Sequence, residues 1–282
     1  MSWQRIAVLD GRRLLRSRGL WIATVIFGTV LAIGTAIPWI VLDEPSASTG
    51  AAYLLGPAVD VGIPALAIIL TYASIGGLRR DGRIKVLLAT PIARHHIVSG
   101  IILARLVCLW CISLIGLLMG ILTIILLYGV PPAGPVLLFI AVTFLAGASY
   151  TVIGVTVSTV FGRPIRSIGV LLIGFLFAHS LWAPLVRGLT QYVWEVESGR
   201  WVDALILVSP LEAYTTLADG FLPASPHLDV AVEEDGISAD AGDLVGGSIA
   251  SGDVLVALAV LVAWMAGGII IARLAFHRCE IE

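Results

Sequence analysis

The sequence predicts an all-α integral membrane protein with six transmembrane helices and both termini on the cytosolic side. Three observations carry that prediction. Hydrophobic residues fill 59% of the 282 positions and charged ones only 13%, about half the charged share of an ordinary soluble domain, and mean hydropathy is +1.01. Apolar runs long enough to cross a bilayer recur six times. The few charges are sorted by loop. A soluble core of this size could not enclose so much apolar side chain, so the composition excludes a soluble enzyme or a nucleic-acid-binding domain.

Residues 1–19 come first and hold five Arg, namely Arg5, Arg12, Arg13, Arg16 and Arg18. Wound as a helix, the stretch sets Arg5, Arg12 and Arg16 on one stripe and Trp3, Ala7 and Leu14 on another, with Leu9 breaking the pattern. Two readings fit: an interfacial helix on anionic headgroups, or a plain basic flank that sets topology. The first span, 20–42, is an uncharged run about 34 Å long at 1.5 Å per residue, enough for the roughly 30 Å hydrocarbon layer. It is too long and unbroken for a cleaved leader, so it is expected to stay. The remaining spans are 54–75, 106–130, 134–161, 168–186 and 254–272. Gly116 and Gly120 form G-x-x-x-G, and Gly28 with Ala32 a looser version, both of which permit close helix approach.

Charge placement sets the orientation. Of 17 basic residues, five precede the first span, six lie in the second loop and the helix start after it, two (Arg163, Arg166) follow the fourth span, and two (Arg273, Arg278) end the chain. Arg187 and Arg200 are the exceptions, in a loop at 187–253 that carries eleven acids between Glu195 and Asp243. That loop is expected outside and both termini inside. Within it, 203–222 is apolar, but Pro210 interrupts it, and a seventh crossing would put Arg273 and Arg278 outside. A pair of outer-leaflet or re-entrant helices is the expectation.

Several chemistries are excluded by motif. A P-loop needs a Lys after its last Gly, and the one Lys, Lys85, follows Ile84. No H-E-x-x-H or G-x-S-x-G is present either. Cys108 and Cys111 are spaced to share a helix face, as a soft-metal site requires, but no His, Met or third Cys is placed to complete it. Free Cys is also an ordinary small apolar residue of buried helices, so no metal is expected. The ionisable residues of the spans are transport-path candidates by default: Asp60 in the second, Arg105 near the inner end of the third and His179 in the fifth. Plainer readings stand beside these. Asp60 lies near the outer end, within reach of headgroups, and Arg105 is placed to snorkel to the inner surface.

The most informative stretch is GGLRRDGRIKVLLATPIARHHIVSGIILAR, residues 76–105. Ile84, Leu87 and Leu88 fall at i, i+3 and i+4, one apolar stripe on a short helix flanked by Arg79, Arg80, Arg83 and Lys85. Pro91 ends it. Such a helix fits a groove on a cytosolic partner, and a basic loop lying on headgroups accounts for the same charges.

This stretch resembles the cytosolic signature of ATP-binding-cassette type-2 transporter permeases, in the compact six-span branch common in archaea and bacteria. Gly82, Ile84, Lys85, Leu87, Leu88, Pro91, Arg94, Gly100 and Arg105 stand at matching places, and SPLEAY at 209–214 is similar to the outer-leaflet segment this family carries between its last two spans. Two positions depart: Leu78 stands where Glu is usual, and Ile101 where Lys is common, leaving Asp81 as the loop's one acid. The resemblance implies a permease subunit of the plasma membrane with no ATPase site and no cofactor of its own. ATP and Mg would sit on a separate cytosolic ATPase, and a second permease subunit, identical or different, would complete the transporter, with export the expected direction. The coupling contact would fall on Arg79, Arg80, Asp81, Gly82, Arg83, Ile84, Lys85, Leu87, Leu88, Pro91 and Arg94. The competing readings are an ion-coupled carrier using Asp60, His179 and Arg105 as a relay, and a membrane scaffold. A carrier of that kind would show an internal repeat, and none links 1–130 to 131–282.

Overall fold

The computed structural model describes residues 3–41, 47, 57–82, 94–131, 133–193, 200–221 and 251–278. Among them the regular elements are helices, with no strand. In chain order they are α1 (Trp3–Leu15), α2 (Arg18–Val41), α3 (Pro57–Thr71), α4 (Ser74–Arg80), α5 (Arg94–Tyr128), α6 (Ala133–Phe161), α7 (Pro164–Leu176), α8 (Trp182–Gly188), α9 (Arg200–Ile206), α10 (Pro210–Phe221) and α11 (Ser251–Arg278). Six stretches are long and apolar enough to cross a membrane: Arg18–Val41, Val61–Arg80, His95–Tyr128, Ala133–Phe161, Pro164–Gln191 and Asp253–Phe276. The first carries exposed Trp21 and Trp39 near its two ends, about 27 Å apart along the axis at 1.5 Å per residue. That is the spacing of two interfacial aromatic anchors.

The post of the bundle is α6, against which α3, α5, α10 and α11 all pack. Its sequence explains why. Gly147, Gly154, Ser149, Thr151, Thr156 and Ser158 give it a thin profile, and without water inside the bilayer close backbone approach and hydroxyl bonds replace hydrophobic burial as the glue. Ser149 Oγ donates to the Leu261 carbonyl at 2.9 Å and Thr156 Oγ1 to the Gly268 carbonyl at 2.9 Å, joining α6 to α11 twice. Opposite, a β-carbon at Gly154 would collide with Thr71 Oγ1 and stand 2.7 Å from its Cβ. Gly154→Val should therefore force α3 and α6 apart at a cost of about 1–3 kcal/mol or more, read as a lower unfolding temperature of the detergent-solubilised chain; an unchanged temperature would contradict this contact. Gly28 and Gly116 play the same part between α2 and α5, where Phe27 and Leu31 lie against Gly116, and Met119 against Gly28.

Three features differ from the boundaries the charges suggest. α5 starts at Arg94, twelve residues before 106, because Ile97, Val98 and Ile101 are fully covered (0–1% exposed) and hold a helical stripe through the charged flank. Ile6 of α1 and Phe276 of α11 belong to the same buried cluster. The second span is two helices, α3 and α4, with a break at Tyr72 and Ala73. The fifth is interrupted by wide turns at Phe177–Leu181 and Leu189–Val193, a departure from α-geometry that recurs at functional places.

Between the fifth and sixth spans, α9 and α10 are each shorter than the roughly 20 residues a crossing requires. Ser209 caps α10: its Oγ accepts the Leu211 N–H at 3.3 Å, its carbonyl accepts the Ala213 N–H, and Pro210 opens the helix where no N–H is needed. Tyr214 then turns inward, fully buried, with its hydroxyl 3.2 Å from Thr143 Oγ1 of α6. The residues 42–46 and 222–250, including most of the acidic loop, lie outside the described residues.

Candidate functional site

The Arg-rich end of the bundle gathers five elements, α1, α3, α4, α5 and α11. α1 lies along the start of α5 so tightly that a β-carbon on Gly100 would stand 2.8 Å from the Trp3 carbonyl oxygen. One turn farther along α5, Arg105 is only 9% exposed. Its Nε donates to Asp10 Oδ2 at 2.9 Å and its Nη2 to Asp10 Oδ1 at 3.4 Å, while Nη1 donates to the Leu70 carbonyl near the end of α3. The planar fork of one guanidinium thus joins α1, α3 and α5. The expectation that Arg105 snorkels to the surface is corrected by this geometry: a carboxylate inside the bundle neutralises it, so the side chain has no need of headgroup water.

The same end carries the start of the coupling stretch. Arg79 and Arg80 end α4, Asp81 follows as its cap, and Gly82 turns the chain at φ +70, a backbone region that glycine occupies without strain. Asp81 stands 3.4 Å from Arg80 and 4.0 Å from Arg13 of α1. With these partners half or more exposed, the pairs orient the chain more than they stabilise it. Arg273 of α11 donates to Ser99 Oγ of α5 at 3.3 Å. Arg83, Ile84, Lys85, Leu87, Leu88 and Pro91 lie outside the described residues; Arg94 opens α5, its side chain likewise undescribed.

Asp60 sits in the first turn of α3, its side chain outside the described set. His179 is exposed on the wide turn of the fifth span and stacks on Phe175, ring centroids 5.6 Å apart. Arg105 is committed to Asp10 and Leu70, so His179 and Arg105 engage different neighbours on different spans. Cys108 is buried and Cys111 exposed, and no group of three or more His, Cys, Asp or Glu converges among the described residues.

An apolar pocket of about 370 Å³, half open to the surface, lies among the second, fourth, fifth and sixth spans under α10, walled by Ile68, Tyr150, Phe175, Trp182 and Trp264. A second, of about 430 Å³, shares Ile153, Val157, Val208 and Trp264 with it. Sequence reasoning missed this pocket, because the aromatic residues that line it come from separate spans with no common period. It also missed Asp10, although one acid in an Arg-rich segment was a usable signal.

A helical bundle with six bilayer-length apolar helices defines a multi-pass membrane protein. The model of the ABC-2 family transporter proteins matches residues 4–281, and the chain belongs to that family. It is the membrane component, a permease, of a kind that carries no ATPase site of its own. Among curated proteins, no relative matches the chain.

Proposed function

We propose that this chain is the plasma-membrane permease subunit of an ABC exporter, with both termini and the Arg-rich end in the cytosol, paired with a second permease subunit. A separate cytosolic ATPase grips residues 79–94. ATP binding moves that grip, and the permease pair reorients between two states that the ATPase contacts differently. The observation that carries this reading is the family match over residues 4–281 on a chain that lacks a P-loop. The basic residues support the orientation, since Arg13, Arg79, Arg80 and Arg273 stand at one end of the bundle. The fifth span supports pairing, since Leu172, Ile173, Leu176 and Leu181 stand exposed along it. The pocket supports an apolar cargo, because its walls offer almost nothing for a charge to bond.

Affinity purification of the tagged, detergent-solubilised chain from its native membranes tests the reading. An ABC ATPase should come down in near-stoichiometric amount. Recovery of the permease alone, from membranes in which ABC ATPases are detectable, would refute it.

A further inference from the structure

The break in the second span is held open by a side chain from another span. Sharp interruptions of a helix come from Pro, from Gly or Ser pairs, or from a group inserted into the hydrogen-bond ladder. Tyr72 and Ala73 are none of the residues that break helices, Pro64 lies about two turns earlier, and Ser74, Gly76 and Gly77 lie beyond the break, inside the regular turns of α4, where the Gly77 N–H bonds the Ala73 carbonyl at 3.1 Å. The inserted group is Ser158 of α6, fully buried. Its Oγ accepts the N–H of Ile75 at 3.3 Å and of Gly76 at 3.2 Å, and donates to the Tyr72 carbonyl at 3.1 Å. One donor and two acceptor sites are all a hydroxyl has, and all are used. An unbroken helix would pair the Gly76 N–H with the Tyr72 carbonyl directly. Ser158 stands between those two groups, so a second arrangement, the continuous helix, is available without leaving a buried backbone group unpaired.

Beyond the break, α4 is seated on the turn that starts the fifth span. A β-carbon on Gly76 would stand 3.2 Å from the Gly162 carbonyl and 3.3 Å from the Pro164 nitrogen, and the Arg79 guanidinium lies against Gly162, where φ is +64. Asp81 caps α4 and Gly82 follows it, so the coupling stretch begins in sequence where α4 ends.

We infer that α4 is a lever, hinged at Tyr72–Ala73 and latched by Ser158, that carries movement of residues 81–94 to the Gly162–Pro164 turn and so to the fifth span. Ser158 is the positioning residue of this device. The inference rests on reading residues 79–94 as the ATPase handle. Arg105 steadies the fixed side of the hinge, because it holds the Leu70 carbonyl just before the break. At seven residues α4 is about 10 Å long, so a change of bend of about 25° swings its tip roughly 4–5 Å.

The test places spin-label pairs at 80 and 138, and at 69 and 138, in the full chain with its own cysteines replaced, in lipid nanodiscs. Position 138 is exposed on α6, 69 lies on α3 before the break, and 80 ends α4. Ser158→Ala should shift the 80–138 distance by about 4–5 Å and leave 69–138 unchanged, while Ser158→Thr, which keeps the hydroxyl, should leave both near the unsubstituted values. Adding the ATPase with a non-hydrolysable ATP analogue to the chain with Ser158 in place should produce the same selective shift. No shift in Ser158→Ala, or equal movement of both pairs with nucleotide, overturns the lever. Because Arg80 belongs to the proposed handle, ATPase binding is read on the chain with Arg80 in place: its absence there overturns the docking reading instead, and the Ser158→Ala distances then decide the hinge by themselves.

Discussion

Replacing Leu87 and Leu88 together with Asp will abolish co-purification of the ATPase while the chain still inserts and purifies as a monodisperse species. The spacing of Ile84, Leu87 and Leu88 predicts one apolar stripe, on a helix flanked by charge. Helices of that kind bind by burying such a stripe in a groove, and each buried Leu contributes about 1.5–3 kcal/mol. Two carboxylates would remove that gain and add the cost of desolvating charge, so a loss of at least a thousandfold in affinity follows from about 4 kcal/mol. The spans are untouched, so membrane insertion has no reason to change. Undiminished recovery of the ATPase with this variant would remove the docking role from the stripe.

The second large effect is expected at Arg105. Arg105→Leu leaves the Asp10 carboxylate, 12% exposed, without the cation that neutralises it, and frees the Leu70 carbonyl. Breaking a buried pair from one side costs about 3–5 kcal/mol, because the remaining charge is stranded. The double variant Asp10→Leu with Arg105→Leu should recover much of that loss, since an apolar pair of similar volume is tolerated where a lone charge is not. Arg105→Lys should fall between, as an ammonium cannot reproduce the fork that reaches Asp10 and Leu70 together. Denaturant titration of the solubilised chain reads all three. Equal stability of Arg105→Leu and the double variant would mean that the Asp10 charge is not what matters.

Much of the bundle is legible in residue order. Bilayer-length apolar runs need no partner to be recognised, because the constraint that creates them is the thickness of the hydrocarbon layer. The pair α9 and α10 is legible for a similar reason: Pro210 cuts an apolar stretch into pieces too short to cross, and Ser209 beside it is a helix-start residue. The site is another matter. Asp10 and Arg105 are 95 positions apart, and an ion pair leaves no periodic trace in either segment. The true start of α5 was hidden because Arg94, His95, His96 and Arg105 look like a loop to any reading based on charge, whereas Ile97, Val98 and Ile101 make one buried stripe once α1 is laid against it. The hinge has only a weak local signal, since Ser74, Gly76 and Gly77 follow it but are wound into α4. Tyr72 and Ala73 are ordinary residues in a helix, and the cause of the break, Ser158, lies on a helix rich in Ser and Thr, of which Thr151 and Thr159 bond back to their own backbone.

The central claim, that an ATPase grips residues 79–94 from the cytosol, is tested most directly by placing a photo-crosslinking amino acid at position 88 and irradiating intact cells. The account predicts a single major adduct with an ABC ATPase subunit. Adducts with lipid alone, or modification of position 88 by a membrane-impermeant reagent added outside, would contradict it.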